Sequence, residues 1–121
     1  MRKTRAAAAR ALQASEDTNA DAVGDLLDFL DQIGFLVSRR AIDLDAVYEF
    51  FEGWLVPYCQ KTSSRRARWR IEDDAPDLYS KLEELFQALA VREPRETGGT
   101  PHRTPKQIDD FLRCEAALTP E

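Results

Sequence analysis

The sequence predicts an all-α protein, a small helical bundle of three main helices plus a short C-terminal helix. Three observations carry that expectation. Apolar residues recur three and four apart along 23–37, 47–58 and 78–89 instead of alternating. Glycine is scarce, five in 121 residues, which is few for the tight turns of a strand-rich fold. Helix-start chemistry also stands ahead of each later stripe, at Asp43, at Pro76 and at Thr104-Pro105 with Gln107.

The opening "MRKTRAAAARALQAS" is basic and alanine-rich. Arg10 interrupts the alanines, and alanine is too weakly apolar for a signal core, so residues 1–19 read as an N-terminal extension, a frayed helix with a basic outer face. "SEDTNAD" is a polar break with several cap candidates. A helix over about 20–39 then buries Val23, Leu26, Leu27, Leu30, Ile33 and Val37, with Asp25, Asp28 and Asp31 on the opposite side. Arg39 and Arg40 fall in its last turn, where cations complement the carbonyl end of the dipole.

Ile42 is expected to pin the corner, and Asp43 to cap the next helix with Asp45 in its first turn. That helix carries Val47, Phe50, Phe51, Trp54, Leu55 and Tyr58, and is kinked or ended by Pro57. "QKTSSRRARWR" reads as basic and partly turn-like. The third main helix is "DDAPDLYSKLEELFQALAV", capped by Asp74 or Ala75 with Pro76 in its first turn. The bundle domain so defined is 20–92, with a Gly/Pro-rich linker at 93–103 and a short amphipathic helix within 104–121 that opens on a capping box. The expected core is Leu26, Leu30, Ile33, Val37, Ile42, Val47, Phe51, Trp54, Leu82, Leu85 and Leu89.

Charge is patterned more strongly than the net −5 suggests. Residues 15–55 hold ten acids against Arg39 and Arg40, whereas 56–71 hold Lys61, Arg65, Arg66, Arg68 and Arg70 with no acid. Alternating blocks of sign point to oriented contact between chains or within one. Cys59 and Cys114 are isolated in apolar helical contexts and read as buried free thiols of a reducing cytosol. No apolar stretch is long enough to span a membrane.

Catalytic signatures are missing. Gly98-Gly99 does not lead into a phosphate loop, and no Gly-x-Ser-x-Gly occurs. The single histidine, His102, lies in the linker, a poor place for a preorganised base. The carboxylates recur on polar helix sides as a solvated face. We therefore expect no enzyme, no catalytic residue, no cofactor and no metal.

The residues that could meet a partner are Arg39, Arg40, Tyr48, Trp54, Tyr58, Arg65, Arg66, Arg68, Trp69 and Arg70. Aromatics and arginines are typical of protein interfaces. A protein partner or a second copy in a homodimer is the first expectation. Nucleic acid bound by 61–70 is the alternative, since guanidinium groups beside an indole suit phosphates and bases. Against it, nearby acids are expected to pair those arginines, and a 33–51 helix-turn-helix would present Asp43, Asp45, Glu49 and Glu52 to phosphate. The last helix is also a candidate peptide for a partner's groove.

The stretch "LLDFLDQIGFLVSRRAIDLDAVYEFFEGWLVPY", residues 26–58, resembles a family of small bacterial helical proteins described only as a domain of unknown function. The likeness lies in Ile33-Gly34-Phe35-Leu36-Val37, a basic corner, Ile42-Asp43-Leu44-Asp45 and an aromatic helix ending near Trp54 and Tyr58. It implies an all-helical fold and no catalysis known to the family, and it gives no ligand and no catalytic residue. The family usually closes the first helix with a glycine where this chain has Arg40 and Ala41. Some members carry an N-terminal membrane segment; none is read here.

Overall fold

In the computed structural model, which describes residues 2–14, 20–97 and 103–118, the chain runs through α1 (Arg2–Gln13), α2 (Ala20–Ser38), α3 (Leu44–Lys61), α4 (Ser63–Glu72), α5 (Ser80–Thr97) and α6 (Pro105–Ala116). There is no strand among the described residues, and the all-α expectation holds. No described helix is long and apolar enough to cross a membrane. The expected main helices are α2, α3 and α5, and the expected terminal helix is α6.

Two compact units divide the chain, Met1–Phe29 with Thr104–Glu121 as unit 1 and Leu30–Arg103 as unit 2. The division falls inside α2.

Unit 1 pairs α1 with α6. The alanine-rich α1 is not a frayed extension: Ala6, Ala8, Ala9, Ala11 and Leu12 are buried. Alanine has the highest helix propensity, and its small side chain suits close helix packing. Arg2, Lys3 and Arg10 face outward as expected. On α6 the expected capping box forms. Thr104 Oγ1 accepts from the Gln107 N–H at 3.2 Å, and Gln107 Oε1 accepts from the Thr104 N–H at 2.8 Å. Pro105 opens the helix, and Ile108 and Leu112 are buried. Arg5 and Glu115 join the two helices through a bidentate bridge, Nε–Oε1 2.7 Å and Nη2–Oε2 2.6 Å.

In unit 2, α2 ends at Ser38, one residue before the expected limit, so Arg39 and Arg40 lie just past it. The Ala41 N–H reaches the Leu36 carbonyl at 2.9 Å and the Arg40 N–H the Val37 carbonyl at 3.0 Å. This is the closing motif that favours a left-handed residue, and Arg40 supplies it with φ 60°. Asp43 caps α3 as expected, its Oδ1 accepting from the Asp45 N–H at 3.3 Å. Pro57 does not end α3, which continues to Lys61. A proline leaves the carbonyl four residues back without its donor, and that residue is Gly53.

The segment expected to be turn-like is α4. It contains no glycine or proline, and Thr62 serves as last cap of α3 and first of α4. α4 closes like α2: the Ala75 N–H bonds the Arg70 carbonyl at 2.9 Å, the Asp74 N–H the Ile71 carbonyl at 3.2 Å, and Asp74 takes φ 49°. Consequently α5 does not start at Asp74–Pro76. Tyr79 also has φ 60°, and a helix interior accepts no such residue, so α5 begins at Ser80. Asp31 of α2 supplies the missing cap, its Oδ1 accepting from the Leu82 N–H at 2.9 Å. Beside it Gly34 is buried so close to the Lys81 carbonyl that a Cβ would overlap it. α5 runs on to Thr97, into the expected linker, while residues 98–102, with Gly98-Gly99 and His102, and 15–19 lie outside the described residues.

Leu26, Leu30, Ile33, Val47, Leu82, Leu85 and Leu89 are buried as expected. Val37, Ile42, Phe51 and Trp54 are only half-buried. Leu55, Val56, Tyr58 and Cys59 take the inner side of α3 instead, which turns Phe50 outward.

Candidate functional site

The buried row on α3 continues into α4. Tyr58, Cys59, Thr62 and Arg66 follow at helical spacing, and all four are buried. An arginine thus occupies a core position, 3 % exposed. Its guanidinium is held on several sides. Nε donates to Thr62 Oγ1 at 3.2 Å, and Nη2 donates to the Cys59 carbonyl at 2.7 Å and to its Sγ at 3.3 Å. Nη1 donates to Glu83 Oε1 on α5. Thr62 Oγ1 itself donates to the Tyr58 carbonyl at 2.8 Å.

Arg70, one turn on, reaches the same oxygen: its Nη2 donates to Glu83 Oε1 at 3.1 Å, while Nε donates to the Leu78 carbonyl at 2.7 Å. Two guanidinium groups share one carboxylate, so the cluster carries one net positive charge. Glu83 is 38 % exposed. Burial pushes the Cys59 thiol up from 9.0 to about 11 against the pull of Arg66 and Arg70. The thiol is therefore neutral at physiological pH and a poor nucleophile. Burial also lowers the Arg66 value, with Cys59 opposing and Arg70 adding to the shift.

Cys59, Gln60, Ser63, Arg66, Glu83, Phe86 and Gln87 line a cleft of about 300 Å³. Gln60 is fixed at its edge by a reciprocal pair with the Arg103 backbone, donating to its carbonyl at 3.0 Å and accepting from its N–H at 2.7 Å. Among the described residues, no three His, Cys, Asp or Glu side chains gather as a metal site would need.

The structure spreads the sequence candidates over several environments. Arg66 and Arg70 meet at Glu83, and Arg65 lies over the Trp69 ring at 6.0 Å. Arg68 is exposed and 3.4 Å from Glu72. Arg39 and Arg40 are exposed at the α2 corner, Arg39 lying 5.7 Å over Phe35. Tyr48 and Trp54 are half-buried. Trp54 packs edge-on against Phe51 at 5.6 Å and Tyr58 at 6.4 Å. Tyr58 is wholly enclosed, and Arg66 is buried except where it lines the cleft. Nearby acids were expected to pair the basic segment; Glu72 does so with Arg68, while Arg66 and Arg70 meet Glu83 on α5. Sequence reasoning missed Glu83, Asp31 and Ile71, and it placed Phe50 on the apolar stripe of α3. The available signal was Arg66 falling on the buried row, which demands an acid partner.

A family model, Domain of unknown function (DUF4760), matches residues 1–88. No curated protein and no solved structure matches the chain significantly.

Proposed function

Since the chain belongs to the DUF4760 family, we propose, from that premise, that it is a non-enzymatic cytoplasmic protein-interaction module whose first partner is a second copy of itself. The observation that carries this reading is a complementary pair of exposed faces. On α3, Phe50 is 71 % exposed, and Asp45 and Glu49, one turn apart and both exposed, form an acidic row on the adjoining side of the helix. On α4, Ile71 is 82 % exposed, and Arg68, three residues back, shares its face. Each face has an apolar point beside charge, and the charges are opposite. In the dimer, Phe50 and Ile71 leave water together while Glu49 and Asp45 meet Arg68. The exposed Arg68–Glu72 pair is worth only a few tenths of a kcal/mol and is readily exchanged. Free cysteines suit a reducing compartment.

The nucleic-acid alternative is weakened because Arg66 is buried and Arg66 and Arg70 are both oriented onto Glu83, away from an open phosphate-binding surface. The test is sedimentation equilibrium from micromolar to several hundred micromolar, paired with capture of the tagged chain with and without nuclease. Dimer that grows with concentration and is lost in Phe50→Ser supports the reading. A monomer throughout, or recovery dominated by nuclease-sensitive nucleic acid, contradicts it.

A further inference from the structure

The cleft between α3, α4 and α5 has the composition of a ligand site that nothing above assigns. Its floor is charged and buried, for Arg66 is nearly inaccessible yet lines the cavity. Buried charges are normally balanced. Here one carboxylate oxygen serves two guanidinium groups, Arg66 in the cleft and the part-exposed Arg70 behind it, so the cluster as a whole falls one negative charge short. Nη1 of Arg66 has two N–H groups and Glu83 takes one of them. Ser63 and Gln87, both exposed at the rim, add a hydroxyl and an amide, and Phe86 adds an aromatic wall. A volume of about 300 Å³ is at the small end of ligand pockets. At about 30 Å³ per water-sized group it holds on the order of ten non-hydrogen atoms. That is too little for a nucleotide and enough for a small aromatic or branched acid.

We propose that this cleft binds a small organic monoanion, whose carboxylate supplies the negative charge that the Arg66–Arg70 pair lacks and whose apolar body lies on Phe86. Glu83 competes with the ligand for the guanidinium groups, which keeps the empty cleft folded and sets a modest affinity. The cleft uses side chains of unit 2 other than Phe50 and Ile71, so it stands or falls independently of self-association.

The test is a titration of the full-length, 15N-labelled chain with sodium benzoate at constant ionic strength, followed by backbone amide shifts, with benzamide as the uncharged control. The expected result is saturable shifts at residues 59–66 and 83–87 with benzoate and not with benzamide. Gln87→Glu places a second carboxylate at the exposed rim and is expected to weaken benzoate binding by about tenfold with the helical fold unchanged. Glu83→Gln removes the competitor and is expected to tighten it by at least about threefold. Linear, unsaturated shifts, an equal response to benzamide, or unchanged binding in Gln87→Glu overturns the proposal. The last outcome is readable even where Glu83→Gln does not fold.

Discussion

The two units solve the same electrostatic problem in opposite ways. In unit 1 the buried group is the carboxylate, Glu115, which accepts two parallel hydrogen bonds from the Arg5 guanidinium. In unit 2 the buried group is the cation, Arg66, and its carboxylate is half outside and shared with Arg70. Two parallel hydrogen bonds across two helices commit the Arg5–Glu115 pair to holding them, so it works as a clasp between α1 and α6. An open two-to-one cluster beside a cleft keeps positive charge to offer. The difference separates a part of the molecule that holds shape from a part with chemistry left to offer.

The contrast is sharpest at Arg5. Arg5→Ala takes both of these hydrogen bonds from the buried Glu115, and the expected loss is about 3 kcal/mol. Amide hydrogen exchange in α1 and α6 reads it as protection lowered by more than a hundredfold. Protection equal to the parent would make the clasp a surface ornament.

The two thiols extend the comparison to pH. Cys114, expected to be buried, is exposed because α6 turns Leu112 and Glu115 inward, whereas Cys59 is buried as expected beside Arg66, with its value raised to about 11. A thiol harder to ionise when folded makes the unfolded chain lose its proton first. Its contribution is fully present below about pH 9 and is lost as pH rises through about 11. Urea melts should thus lose about 2 kcal/mol more over that window in the parent than in Cys59→Ala. Identical slopes would mean that the thiol ionises as easily in the fold as outside it.

Two glycines of α2 make a smaller version of the test, one in each unit. Gly34 lies against the Lys81 carbonyl, while a Cβ on Gly24 meets nothing within 4 Å. Gly34→Ala is expected to destabilise by about 2 kcal/mol through overpacking, and Gly24→Ala to stabilise by about 1 kcal/mol through helix propensity. Thermal melting temperatures should move in opposite directions. Smallest is Arg40→Gly, which relieves a side chain at φ 60° and should raise stability by on the order of 1 kcal/mol. A lower melting temperature would show that Arg40 makes contacts worth more than its strain.

Helix existence was legible because it depends on local spacing and caps. The stripes of α2 and α3, the Asp43 cap and the Thr104–Gln107 box are all written within a few residues. The start of α5 was not, because Pro76 gives a sound local signal that two left-handed residues, Asp74 and Tyr79, override, and the effective cap, Asp31, lies 51 positions away. α4 was obscured because its arginines mimic a solvated loop, although one of them stands on the buried row. The burial of Tyr58 and the exposure of Phe50 turn on the rotation of α3 about its axis, which an all-round aromatic helix does not specify. The site was half legible: Arg66 and Arg70 stood among the candidates, but Glu83 looked like one more acid on a polar helix side.

The central claim is that opposite charges on the α3 and α4 faces bring two copies together around Phe50 and Ile71. The most direct measurement is sedimentation equilibrium on Glu49→Arg, Arg68→Glu and the double exchange. The account expects each single exchange to shift the chain toward monomer and the double exchange to restore the dimer. Dimer in both single variants at the parent's strength, or a double variant no better than either single, would contradict it.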